Sequence, residues 1–387
     1  MLTKPEAAEL RSYIAGRQSE MLALARLLVE TESPSGDEAG SREVVGHLEE
    51  AARSIEVVSK VERIPVPKYG EHLRFSAFAG TQKQSGNILI VGHTDTVHPR
   101  GSIHERPWRI EDGRIYGPGI FDMKANCALI LEALRACAAL GIRPHNEIVV
   151  LLTCDEETGS ETGRALVEEE AECARCALVL EPPAMGGRVK TARKGTGIFE
   201  MKVEGRAAHA GLEPEKGASA ILELARQIER LHALNEPSRG TNVNVGVVRG
   251  GTRSNVVAAS AEAEIDVRFS TKDEGHRIER ELFASKPFDG RVSVTVSGGI
   301  NRPPLERSEG VARLYEHARL IAALLDTELC EASVGGASDG NFIAAMGVAV
   351  LDGLGLDGDG AHALHEHIIE DDIVRRGALI AGLIATL

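Results

Sequence analysis

Apolar residues at Leu10, Ile14, Met21, Leu24 and Leu28 recur at helical spacing and predict one amphipathic helix over residues 7–30. A turn-rich loop, Ser33-Pro34-Ser35-Gly36-Asp37, separates it from a second helix expected near 38–53. The pattern then changes to short apolar runs at 55–62, 73–79 and 87–92, which read as strands. An irregular Gly- and Pro-containing segment, 99–120, precedes a helix near 124–140. Next comes Ile148-Val149-Val150-Leu151-Leu152, an unbroken run with the β-branched content of a strand buried on both faces. A helix near 161–171 and a strand at 176–180 complete an alternation that predicts an α/β sheet with helices on its faces.

Near Gly195 the pattern changes. Residues 197–205 alternate as a half-exposed strand, 217–234 read as a helix, and 241–250 and 256–269 as strands. A helix near 272–285 and a strand at 291–297 give the order β-α-β-β-α-β, which is the ferredoxin-like arrangement. After Arg302-Pro303-Pro304 the first pattern returns, with a helix at 308–325, a strand at 347–351 and a closing helix near 370–386. The expected division is therefore one α/β domain over 1–194 and 303–387, interrupted by a smaller α+β domain over 195–302.

A length of 387 residues suits two domains, and 43% hydrophobic with 26% charged residues suits a water-soluble globular chain. A formal net charge of -14 argues against nucleic acid and anionic membranes as partners. The first residues lack the apolar core of a signal peptide and no window approaches a membrane span, so the expected location is cytoplasmic. The six cysteines are scattered; Cys173 and Cys176 form a CxxC with no second pair or nearby CxxH, and read as reduced thiols.

Candidate chemistry gathers at the ends of the apolar runs. The strand through Val91 ends in VGHTDTVHP, where His93 and Asp95 share one side of an extended chain. That spacing lets a carboxylate take the second ring N–H of a metal-bound histidine. GPGIFDMKAN sets Asp122 just before a helix, where it could equally be an N-cap. The run at 148–152 ends in Asp155-Glu156-Glu157, and alternation along an extended tail is expected to send Glu156 and its neighbours to opposite sides. CALVLEPP ends another strand in Glu181, and GDGAHALHEH offers His362, His365 and His367. In open α/β sheets ligands bind at the carboxyl ends of strands. Two histidines and three or four acids there suffice for one histidine and two acids on each of two metals, provided one acid is shared.

Taken in order, VGHTDTVHP, GPGIFDMKA, TCDEETGS, LEPP, RAAHAG, SNVVAASAEAEIDVR, GGASDGNF and GAHALHEH resemble the dinuclear zinc exopeptidases and deacylases. That family includes aminoacylase, acetylornithine deacetylase, succinyl-diaminopimelate desuccinylase and the glutamate carboxypeptidases, and the resemblance covers essentially the whole chain. It implies a mixed-sheet catalytic domain with an inserted ferredoxin-like lid and dimerisation domain, so a homodimer is expected. It also implies that His93, Asp122 and Glu181 hold one zinc ion and Asp122, Glu157 and His362 a second, with Asp122 bridging. Cobalt or manganese are alternatives for this mixed N/O set. By the same resemblance the peptide bond after Asp122 is cis, Glu156 is the general base, and Asp95 orients His93. Asp155 is left as hydrogen-bonding support, His365 and His367 as solvated or supporting histidines, and Glu366 as the acid four residues after the ligand. His209 in RAAHAG matches a histidine that polarises the scissile carbonyl, often across a dimer. Asn244, Arg268, Arg302 and Lys190 line up with residues that bind the substrate carboxylate in glutamate carboxypeptidases, and arginine suits that role through its planar fork.

The expected activity is therefore removal of a C-terminal amino acid, glutamate-like, from a peptide or acyl conjugate. The rival within the same chemistry is an N-acyl-amino-acid deacetylase of the acetylornithine type. Gly353-Leu354-Gly355-Leu356-Asp357-Gly358 fits a dinucleotide-binding GxGxxG, but Asp359-Gly360-Ala361-His362 follows it where a helix is required. A non-catalytic metal-binding scaffold would lack a ligand or the base, and none is missing.

Overall fold

The structure is a computed structural model that describes residues 2–82 and 85–387. The chain divides into two compact units, Met1–Ala192 with Arg307–Val334 and Ser338–Leu387, and Arg193–Glu306 with Gly335–Ala337.

The first unit is built on a six-stranded mixed sheet in the order Val58–Val66, Gly70–Gln82, Asn146–Thr153, Asn87–His93, Ala174–Val179, Ala349–Leu351. The first two pairings are antiparallel and the others parallel. Ile88, Ile90, Ile148, Val150 and Leu178 are fully buried, as strands covered on both faces require. The helix Ala125–Ala139 is buried around almost its whole circumference, consistent with its Ala- and Leu-rich sequence, and packs against Asp372–Thr386.

The first helical run is two helices, Lys4–Gly16 and Gln18–Glu30, not one. Arg17 breaks it at φ −121°, its N–H returning to the Ile14 carbonyl while its Nε donates to the buried Glu132 carboxylate at 2.6 Å. Ile14 and Met21 lie seven residues apart, so the apolar stripe stays in phase and conceals the break. A small sheet in the order Gly358–Asp359, His367–Ile369, Arg114–Tyr116, Arg109–Glu111 was not foreseen. Its strands have only two or three residues, too few for periodicity to register.

The second unit has the order Gly195–Glu204, Ala220–His232, Asn242–Gly250, Ser260–Phe269, Lys272–Phe283, Ser293–Arg302. Numbering its strands by sequence, they lie side by side as 2-3-1-4, all antiparallel, which is the ferredoxin-like topology. Phe199, Met201 and Val203 alternate inward against Leu224, Leu231, Ile278 and Leu282 of the two helices. Residues 256–259, expected to open a strand, are irregular apart from an isolated bridge between Val256 and His209, whereas the last strand runs on to Arg302. Among the described residues no helix is long and apolar enough to cross a membrane.

Candidate metal centre

Asn87–His93, Asn146–Thr153 and Ala174–Val179 run parallel, so their carboxyl ends share one edge of the sheet. His93 closes the first strand; Asp155, Glu156 and Glu157 follow the second; Glu181 follows the third. Topology alone thus converges side chains that lie 88 positions apart at the extremes, from 93 to 181. Asp122 joins them from the turn Ile120–Lys124, and the Asp122–Met123 peptide is cis.

His93 Nδ1 donates to the Asp95 carbonyl at 2.9 Å and lies 3.4 Å from Asp95 Oδ1. That contact fixes the tautomer and leaves Nε2 directed at carboxylates, 3.1 Å from Asp122 Oδ1 and 3.4 Å from Glu181 Oε1. Asp122 Oδ2 faces the other way, 3.5 Å from His362 Nε2, which is itself 3.1 Å from Glu157 Oε2. One carboxylate therefore addresses two histidines through different oxygens. Ligand atoms of His93, Asp122 and Glu157 fall within 4.8 Å of one another, as do those of His93, Glu156 and Glu181.

The carboxylates crowded here draw positive charge toward the cluster. Burial pushes the His93 imidazole down, but hydrogen bonds with Asp122, Asp95 and Glu181 outweigh it and hold the ring well above the ordinary histidine range. His362 is pushed up to about 10 by hydrogen bonds with Asp122 and Glu157. Burial drives Glu157 upward and would do the same to Asp122, but His362 and His93 hold Asp122 well below the carboxylate range. Glu157 Oε1 is buried and finds no hydrogen-bond donor. A buried carboxylate oxygen without a donor is costly unless a cation meets it. The mixed nitrogen and oxygen donor set fits a divalent metal such as zinc.

The backbone around this cluster is held from below. Asp95 accepts from Ser35 Oγ at 2.6 Å and from the N–H groups of Glu156 and Glu157, each at 3.2 Å. One aspartate thereby orients His93 and fixes both glutamates. The glutamate tail is a 3₁₀ turn, Glu156–Thr158, not the extended chain expected from alternation. The turn forms because Asp155 is buried and accepts from Thr162 N and Oγ1 and Gly163 N, drawing the chain back on itself. Gly92 has a steric reason: a Cβ there would lie 2.4 Å from the Met123 methyl, whose sulfur accepts from His93 N at 3.3 Å. Ser35 read only as a turn residue in sequence, and nothing there signalled its bond to Asp95.

The loop between Gly358–Asp359 and His367–Ile369 brings His362 to the cluster. His362 has φ 62°, a left-handed conformation costing roughly 1–2 kcal/mol for a residue with a Cβ. His365 is exposed, and His367 packs its ring against Tyr116 at 5.1 Å between centroids. Neither histidine is grouped with the carboxylates around His93, although His365 Nε2 lies 3.9 Å from Asp359 Oδ2.

Of the residues aligned with substrate binding, Lys190 lies in the first unit, buried on Val189–Arg193 and paired through its backbone with Asp352. The rest belong to the second unit. Asn244 is exposed on Asn242–Gly250. Arg268 directs its fork at its own strand, with Nε and Nη2 each 2.8 Å from Asp266 oxygens. Arg302 is buried at the end of Ser293–Arg302. His209 is exposed in a turn, its Nδ1 accepting from Gly211 N at 3.1 Å and its backbone bridged to Val256.

Comparison with known proteins identifies the family and the fold. The pattern of peptidase family M20/M25/M40 matches residues 89–386. Carboxypeptidase G2 from Pseudomonas sp. (strain RS-16) is 32% identical over 308 residues, covering 78% of this chain and 74% of that protein. A succinyl-diaminopimelate desuccinylase from Alkalilimnicola ehrlichii is 28% identical over 392 aligned positions, 95% of this chain and 99% of that protein. The crystal structure of aminopeptidase PepT from Bacillus cereus shares the fold, with a TM-score of 0.75 at 23% identity over 95% of this chain and 98% of that one.

Proposed function

The chain belongs to peptidase family M20/M25/M40, and from that premise we propose that it is a two-metal carboxypeptidase releasing a C-terminal, glutamate-like amino acid from a peptide or acyl conjugate. It is a hydrolase of amide bonds; the leaving amino acid and the metal count are our reading. The observation that supports the two-metal part is Asp122, whose two oxygens address His93 and His362 at 3.1 and 3.5 Å; the carboxypeptidase part rests on the similarity to carboxypeptidase G2.

In this reading His93, Asp122 and Glu181 hold one cation and Asp122, Glu157 and His362 the other, zinc suiting the set best. When bound, two divalent cations supply Lewis-acid polarisation of the scissile carbonyl and acidify a water. Glu156 takes a proton from the attacking water and returns it to the leaving amine. Asp95 holds His93 in the tautomer that leaves Nε2 available, and its grip on the Glu156 and Glu157 amides keeps base and ligand in fixed relation. His209 donates a hydrogen bond to the developing oxyanion, from its own chain or from the partner in a homodimer joined through the second unit. Arg302 and Arg268, with Asn244 and Lys190, receive the substrate carboxylate. Arg268 must then trade Asp266 for the substrate, an exchange of one carboxylate for another in the same fork.

His209→Ala is expected to lower turnover about 10²–10³-fold while metal content stays at wild type. Mixed dimers of His209→Ala with Glu156→Gln chains, assayed for recovered activity, show whether the histidine acts across the dimer. The desuccinylase relative favours a second reading, an N-acyl-amino-acid deacetylase. A hydrolysis screen of the zinc-loaded protein separates the two. Release of glutamate from dipeptides and acyl conjugates bearing C-terminal glutamate supports the first, whereas cleavage confined to N-acetyl amino acids such as acetylornithine supports the second.

A further inference from the structure

Glu366 is almost fully buried, and four donors converge on its two carboxylate oxygens. Oε1 accepts from Phe121 N at 2.9 Å and Asp122 N at 3.0 Å; Oε2 accepts from Gly119 N at 2.7 Å and from His98 Nε2 in a short hydrogen bond. The proton on that bond can be placed. Arg106 Nη2 donates to His98 Nδ1 at 3.2 Å, so the proton of a neutral His98 sits on Nε2 and points at Glu366. Arg106 Nη1 also donates to the Ala363 carbonyl at 3.3 Å. The network therefore grips the His362 loop at residues 363 and 366, on the far side of the histidine, and grips the Asp122 turn at three amides. Gly360 fits the same geometry, with φ 82° and a hypothetical Cβ only 2.9 Å from Glu366 N.

We propose that Glu366, oriented by His98 and Arg106, is the positioning residue that fixes Asp122 relative to His362. It touches no reacting atom. Its effect is to hold two backbone segments 240 positions apart, 122 and 362, so that one carboxylate and one imidazole meet at ligand spacing. His93 needs no such help, because Asp95 already orients it. Loss of Glu366 should therefore loosen the pair formed by Asp122 and His362 more than the pair formed by Asp122 and His93. This inference rests on the two-metal reading above.

The test is a spectroscopic titration of the metal-free full-length chain with cobalt(II), reading the visible d–d bands. Glu366→Gln keeps the size but leaves one acceptor oxygen and sets an NH₂ group against backbone donors. One cobalt equivalent is expected to bind close to wild type and the other about 10–100-fold more weakly, the usual range for an outer partner of a metal site. His98→Ala, which removes a single donor, should weaken the same step by less, and serves if Glu366→Gln does not fold. His365→Ala, exposed in the same loop, should titrate as wild type. Two cobalt steps unchanged in Glu366→Gln and His98→Ala would overturn the proposal. So would equal weakening of both steps accompanied by a lower melting temperature of the metal-free protein, the mark of a merely structural residue. If the wild-type chain binds no cobalt, the two-metal reading fails first, a result distinct from indifference of the variants.

Discussion

Glu156→Gln is expected to bind two divalent ions per chain and to lose about 10²–10⁴-fold in turnover, the range that a positioned general base supplies. The substitution preserves volume and removes the negative charge, and with it the capacity to take a proton. The backbone amide that bonds to Asp95 is unchanged by the substitution. A competing assignment exists in the same distances. The Glu156 carboxylate lies within 4.8 Å of ligand atoms of both His93 and Glu181, close enough to be a ligand itself. The two roles separate by metal analysis: a base leaves stoichiometry unchanged when amidated, whereas a ligand lowers it. Turnover near wild type with both ions present would remove Glu156 from the chemistry altogether.

Asp122→Ala is expected to lower both metal equivalents together and to reduce hydrolysis to background. Its two oxygens serve both histidines, so no single remaining carboxylate can replace it. His362→Ala is the contrast, since it removes a ligand from one set only and should cost about one equivalent. Elemental analysis after gel filtration distinguishes them. Equal losses in the two variants would mean that Asp122 is not shared. The folded state should survive Asp122→Ala, because His93 keeps Glu181 and His362 keeps Glu157 as neighbours.

Much of this centre was legible in the chain because apolar runs end where chemistry begins. Val91-Gly92-His93, Leu151 through Glu157 and Leu180-Glu181 each announce a buried strand and then a donor, and three parallel strands necessarily deliver those donors to one edge. What failed to show was local conformation set by side-chain hydrogen bonds. The 3₁₀ turn at Glu156 depends on Asp155 reaching Thr162 and Gly163, and the break at Arg17 depends on Glu132, a partner 115 residues away. The short strands that frame His362 pair Gly358 with Ile368 and Ile368 with Ile115, relations no window on the sequence can detect. Glu366 was visible only as an acid four residues past a histidine, because its three amide partners lie at Gly119, Phe121 and Asp122. Arg268 lines up with a substrate-binding arginine but could equally pair structurally at its strand end, and Asp266 occupies its fork. Strand periodicity sets those two on one side, so this pairing was readable from the EIDVR motif itself.

Whether Asp122 joins two metal sites is tested most directly by anomalous diffraction from crystals grown with zinc. A shared Asp122 gives two anomalous peaks per chain, one bounded by His93, Asp122 and Glu181, the other by Asp122, Glu157 and His362, with Glu156 bound to neither. A single peak, or a peak with Glu156 in its coordination shell and Asp122 outside, would contradict it.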